Sequence, residues 1–123
     1  MKRWLIALSA LILSSCSADP VPNANIDQVV TAITAGATVI DVRTAEEMAE
    51  GMLPNAVPIP HAEIVSGVAA LELSADATLV LYCRSGRRSG LATAALQKAG
   101  YTRVINGGGY GDLVTALNGD KAG

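Results

Sequence analysis

Two short aliphatic runs constrain this chain most: Ala37-Thr38-Val39-Ile40-Asp41-Val42 and Thr78-Leu79-Val80-Leu81-Tyr82. The first is rich in β-branched residues, and both read as buried strands. Val57 to Ile59, flanked by Pro58 and Pro60, and Tyr101 to Ile105 read as two shorter ones. Helical spacing lies between them. Ile26, Val29, Val30 and Ile33 share a helix face that Asn25 caps and Gly36 stops. Thr44 and Glu47 form a capping box for Ala45 to Glu50. His61 to Leu71, Ser89 to Ala99 and Tyr110 to Leu117 complete the helices, with Asn106 to Gly109 as a turn before the last. Strands alternating with helices predict an α/β fold with a mainly parallel sheet. Ligands of such sheets bind at the carboxyl ends of strands.

The 123 residues allow one domain. The chain has no Phe, so its core must be built from Val, Ile, Leu and Ala. A formal charge of −2 gives no basic footprint, so no nucleic-acid partner is expected.

The first residues read as a targeting signal rather than part of the fold. Lys2 and Arg3 precede an apolar run from Trp4 to Leu13. That run is shorter than the roughly 20 residues a bilayer span needs. Leu13-Ser14-Ser15-Cys16 resembles the bacterial lipobox, which implies cleavage before Cys16 and its lipidation. An ordinary signal cut near Ala18 and a buried N-terminal helix are the alternatives. The lipoprotein reading predicts an exported protein, held by its lipid on a bacterial membrane and facing the periplasm or cell exterior. The expected organisation is a signal peptide over 1–15, a lipid-attachment Cys and tether over 16–25, a domain over 26–117 and a tail over 118–123. A lipidated Cys16 cannot pair with Cys83, which leaves one free thiol in a compartment where disulfides form.

That thiol opens the segment Cys83-Arg84-Ser85-Gly86-Arg87-Arg88-Ser89, between a buried strand and a helix. Three arginines lie within five residues of it. The following helix offers its N-terminus, and a turn through Ser85-Gly86 can curl several amides around one point. Each effect favours thiolate over thiol. Cys83 is the expected nucleophile, and Arg84 to Ser89 the loop that binds an anion formed on its sulfur.

At these residues the chain resembles a single-domain rhodanese, a thiosulfate-type sulfurtransferase. Asp41-Val42-Arg43-Thr44, Glu47-Met48, Gly51 to Ala56 and Ile59-Pro60 are similar to that family's first signature. Tyr82 to Gly90 resembles its active-site loop, and Gly100-Tyr101, Val104 and Asn106 to Tyr110 its C-terminal run. The likeness spans residues 26 to 117. Met48, Met52 and Asn55 depart from the pattern, all outside the Cys83 loop. The resemblance implies a mainly parallel, five-stranded sheet flanked by helices. It also implies sulfur transfer from a small sulfur-containing anion such as thiosulfate to cyanide or a thiol, through a persulfide on Cys83. Neither a metal nor an organic cofactor is implied. Arg84 and Arg87 would attract the donor, and Arg88 would orient the loop through carbonyls or a carboxylate.

Asp41 and Arg43 are expected to support the site by pairing with each other or with loop backbone. Glu46, Glu47 and Glu50 read as a solvated helix face from which Glu47 can reach a loop arginine. His61 reads as a loop or helix-start residue. Gly107 to Gly109 lacks the spacing of a dinucleotide fingerprint. A cysteine phosphatase or arsenate reductase would need a longer loop than the four residues between Cys83 and Arg88. A persulfide carrier or binding module without turnover is the non-enzymatic alternative.

Overall fold

In the computed structural model, which describes residues 19–122, helices and strands alternate along the chain. The elements are α1 (Ile26–Thr34), β1 (Thr38–Asp41), α2 (Ala45–Ala49), β2 (Val57–Pro58), α3 (Ile64–Ala70), β3 (Thr78–Cys83), α4 (Arg87–Lys98), β4 (Arg103–Gly109) and α5 (Tyr110–Ala122). A 3-10 turn over His61–Glu63 leads into α3. The expected signal peptide, Cys16 and the start of the expected tether lie outside the described residues.

The four strands run parallel in the order β2-β1-β3-β4. Successive strand residues face opposite sides, so each strand feeds two apolar layers. Ile40, Leu79, Leu81 and Cys83 pack with Ile64, Val68, Ala92 and Leu96 on the side of α3 and α4. Val39, Val80 and Tyr82 pack with Val29 and Leu113 on the side of α1 and α5. Coverage on both faces is why the strands read as unbroken aliphatic runs. The chain steps outward from β1 to β2 and then back across to β3, so the strand order turns at β1 and β3. A crevice opens at the carboxyl ends of such a pair. Asp41 ends β1 and Cys83 ends β3.

Local signals fixed several boundaries. Asn25 Oδ1 accepts from the amides of Asp27 and Gln28 to cap α1. Thr44 and Glu47 exchange both bonds of the capping box on α2.

Other expectations need correction. The sheet has four strands among the described residues, not five. The segment before α1 lies beside β4, but its one bond to β4 backbone is from the Ala24 amide to the Asn106 carbonyl, at 2.9 Å. Pro20 and Pro22 have no amide hydrogen to extend a ladder. Residues 20–25 are therefore packed on the domain rather than hanging from it as a tether. At the other end α5 continues through Ala122, so residues 118–122 are helix rather than tail.

Asn106 to Gly109 is not a turn either. It completes β4 and passes directly into α5. The register with β3 slips between Leu81 and Tyr82, opposite Gly107. A Cβ on Gly109 would stand 2.6 Å from the Arg84 carbonyl oxygen. These glycines let β4 approach β3 and the Cys83 loop more closely than any side chain permits.

Candidate active site

The carboxyl end of β1 carries a buried ion pair. Asp41 is fully buried and Arg43 is 5% exposed. Arg43 Nε and Nη2 donate to the Asp41 carboxylate at 3.0 and 2.8 Å, and Nη2 also donates to the Gly51 carbonyl at 2.6 Å. Tyr82, from β3, donates its hydroxyl to Asp41 Oδ2 at 2.7 Å and accepts the Leu53 amide at 3.0 Å. The Arg43 guanidinium lies over the Tyr110 ring, 4.4 Å from its centre. Burial and the Asp41 carboxylate push the Tyr82 phenol well above its ordinary value despite the Leu53 amide, so it stays protonated and donates. This cluster ties β1, the 51–53 loop, β3 and α5 into one frame beside the sulfur.

Cys83 has none of its surface exposed. Its Sγ accepts the Gly86 amide at 3.0 Å, and the Ser89 hydroxyl lies 3.5 Å away. Gly86 caps α4 in the left-handed region, at φ 105°, which a side chain would strain. That conformation turns the loop back over the sulfur. Burial pushes the Cys83 thiol up. The Ser89 hydroxyl and the amides of Ser89, Gly86 and Ser85 more than offset it, and the thiol lies below its ordinary value.

The arginines contribute less to that shift than their proximity in sequence suggests. Arg84 and Arg87 are exposed. Helix α4 begins at Arg87, two residues before the expected Ser89. Arg87 and Arg88 thus occupy its first turn, where the helix dipole disfavours cations. Glu47 offsets this for Arg88: the two form a bidentate pair at 2.7 and 3.0 Å across 41 residues of chain. Glu47 therefore serves as the anchor of the loop as well as of the α2 capping box.

The Arg88 guanidinium, then the Thr44 amide, lower the Glu47 carboxyl to about 2. A carboxyl lowered on folding adds stability above its unfolded range and loses it as pH falls through its folded value. The stability difference between the native chain and Glu47→Gln will therefore be full near neutral pH and close between about pH 5 and pH 2. Thermal unfolding of both proteins across that range measures it. A difference that stays constant to the acid end would show that the pair is not the source.

A cleft of 380 Å³ opens beside the loop, lined by Arg43, Glu47, Glu50, Gly51, Arg84 and Tyr110. A larger apolar groove, between α1, the 52–55 loop and α5, contains no residue of the Cys83 loop. Among the described residues no His, Cys, Asp and Glu side chains gather as a metal site. His61 starts the 3-10 turn. The sequence reading missed Tyr82 as a partner of Asp41, and it missed Asn106, which lies against Ser89 and Gly86. A polar residue inside a strand that must be buried was the available signal for Asn106, hidden because the glycines after it read as a turn.

A family model described as the rhodanese-like domain matches residues 25–112. The chain is 43% identical over 67 residues to a sulfurtransferase of Allochromatium vinosum, covering 54% of this chain and 61% of that protein. It therefore spans less than two thirds of that relative. It is 36% identical over 74 residues to the thiosulfate sulfurtransferase PspE of Escherichia coli, covering 60% of this chain and 71% of that one. Among solved structures, the human single-domain sulfurtransferase TSTD1 superposes with a TM-score of 0.64 at 28% identity, covering 76% of this chain and 96% of its own.

Proposed function

The chain belongs to the rhodanese-like domain family, and we propose from that premise that it is a sulfurtransferase whose sulfur passes through a persulfide on Cys83. One observation carries the reading. A buried Sγ at the end of β3 receives the Gly86 amide, with the Ser89 hydroxyl in reach, inside a strand-to-helix loop. Preorganised donors around one atom favour an anion there.

The Cys83 thiolate attacks the outer sulfur of thiosulfate. The new S–S bond forms as the old one breaks, and sulfite leaves with the electron pair. The persulfide keeps its negative charge on the terminal sulfur, among the loop amides. A thiolate or cyanide then attacks that sulfur, takes it, and returns Cys83 as thiolate. Two displacements at one nucleophile make this ping-pong covalent catalysis. Arg84, exposed at the mouth of the cleft, attracts the anionic donor, and Arg87 adds to the same field.

Incubating the full chain with thiosulfate, then measuring mass and sulfite, tests the reading. The protein will gain one sulfur atom on the tryptic peptide containing Cys83 and release sulfite. Added cyanide will yield thiocyanate over many turnovers. Sulfur loading without turnover would identify a carrier instead, and no loading from any sulfane donor would overturn sulfur transfer.

The Leu13-Ser14-Ser15-Cys16 sequence supports a second part of the proposal, that the protein is exported and lipid-anchored through Cys16. Expressed in a bacterium, Cys16→Ala will remain an unprocessed precursor. Normal cleavage to a soluble product would reject the anchor.

A further inference from the structure

Asn106 lies within β4 with 1% of its surface exposed. A buried side-chain amide needs partners for two N–H groups and a carbonyl oxygen. Asn106 Nδ2 faces three acceptors: the Val21 carbonyl at 2.7 Å, the Gly86 carbonyl at 2.9 Å and Asn23 Oδ1 at 3.2 Å. On the other side Oδ1 accepts the Gly108 amide at 3.0 Å and meets Ser89 Oγ at 2.7 Å. Acceptors on one side and an amide donor on the other fix which end is nitrogen.

That assignment decides where the Ser89 proton goes. Asn106 Oδ1 cannot donate, so at 2.7 Å it takes the single hydroxyl proton of Ser89. The Ser89 lone pairs then face Cys83 Sγ at 3.5 Å. When an anion forms on sulfur, the hydroxyl has reason to turn toward it. Asn106 Oδ1 is not orphaned by that turn, because the Gly108 amide still holds it.

The same amide reaches the segment before α1. The Val21 amide donates to the Gly90 carbonyl at 3.1 Å, and Asn23 Nδ2 to the Ser85 carbonyl at 3.4 Å. A Cβ on Gly86 would collide with Asn23 Oδ1. The strap over 20–25, β4 and the Cys83 loop thus meet at Asn106.

Resting on the sulfur-transfer reading above, we propose that Asn106 is a positioning residue for the Cys83 sulfur. Its Nδ2 pins the left-handed Gly86 that aims an amide at Sγ. Its Oδ1 holds the Ser89 hydroxyl proton and releases it to an anion on the sulfur. No covalent bond changes in this step; one hydrogen bond is exchanged for another. The groups that Asn106 gathers from the strap, from β4 and from the loop are uncharged. Arg88, in the first turn of α4, is paired with Glu47 on α2.

Iodoacetamide alkylation of the full chain against pH tests the proposal. No Lys or Arg lies between Arg43 and Arg84, so trypsin places Cys83 on a peptide of its own, apart from Cys16. Asn106→Ala will raise the midpoint for Cys83 by about one pH unit, the scale of displacing the Gly86 amide from a thiolate. In Ser89→Ala, adding Asn106→Ala will shift the midpoint by more than it does alone, because no freed Ser89 hydroxyl then offsets the displaced Gly86 amide. A folded Asn106→Ala with the native midpoint, or strictly additive shifts, would overturn the proposal. Should that variant fail to fold, the native protein still decides. The Asn106 side-chain amide resonances will move with the Cys83 titration, and resonances that stay still would overturn the proposal. No sulfur donor is used, so this result stands apart from failure of sulfur transfer itself.

Discussion

Cys83→Ser will fold and take up no sulfur from thiosulfate. The serine oxygen fits where Sγ sits and can accept the same Gly86 amide, so the loop keeps its shape. A serine hydroxyl stays protonated in this loop, which has no neighbouring base to activate it. Losing the nucleophile of a covalent mechanism removes at least about 10⁴-fold in turnover. Sulfite release and thiocyanate formation, measured beside thermal unfolding of the variant, check both halves of the claim. Persistent sulfite release by a folded Cys83→Ser protein would place the nucleophile elsewhere. Native unfolding with no sulfite would confine the loss to chemistry.

Arg43→Ala is the variant with the largest expected effect on stability. It removes the cation from a fully buried Asp41, whose remaining partners are the Tyr82 hydroxyl and the residue 43 amide. It also strips the Gly51 carbonyl of its donor and the Tyr110 ring of its cation. Removing one member of a buried pair costs about 3–5 kcal/mol because the other charge is left uncompensated. A whole domain is typically stable by about 5–15 kcal/mol, so the variant will be close to unfolding. Arg43→Lys will not restore the native state, since a point-like ammonium cannot reproduce the planar fork shared by Asp41 and Gly51. Urea titration of the three proteins measures the order. A loss below about 1 kcal/mol, the scale of a surface pair, would show that Asp41 finds another partner. The functional consequence follows from connectivity. Arg43 starts the turn into α2, α2 carries Glu47, and Glu47 holds Arg88 at the start of α4.

Much of the frame is legible in the sequence. β1 and β3 were visible because each is a continuous aliphatic run covered on both faces. The caps on α1 and α2 were visible because a capping bond spans only a few residues. Cys83 at a strand end was visible for the same reason: the aliphatic run stops there and a polar, glycine-containing loop follows. The end of β4 was not. Asn106-Gly107-Gly108-Gly109 has the composition of a turn, and its glycines serve instead to admit Val80, Leu81 and Arg84 at close range. Nothing in the local sequence distinguishes a glycine needed for a turn from one needed for approach.

The arginines show the same divide within the site. Their crowding around Cys83 is a property of the sequence, and from it the thiol was expected to be acidified by charge. In the fold Arg84 and Arg87 face outward, Arg88 is taken by Glu47, and the sulfur accepts the Gly86 amide with the Ser89 hydroxyl in reach. By itself the sequence determined β1, β3 and the caps of α1 and α2, where the thiol stands, and that the loop after it turns through Gly86. Those outcomes depend on backbone preferences and hydrophobic period within short windows. Only the tertiary structure decided that Glu47 reaches Arg88, that Tyr82 donates to Asp41, and that Asn106 gathers Val21, Gly86 and Ser89. These partners lie 17 to 85 residues apart. What brings them together is the order β2-β1-β3-β4, which places the ends of β1 and β3 side by side and closes β4 against the loop between them and α4.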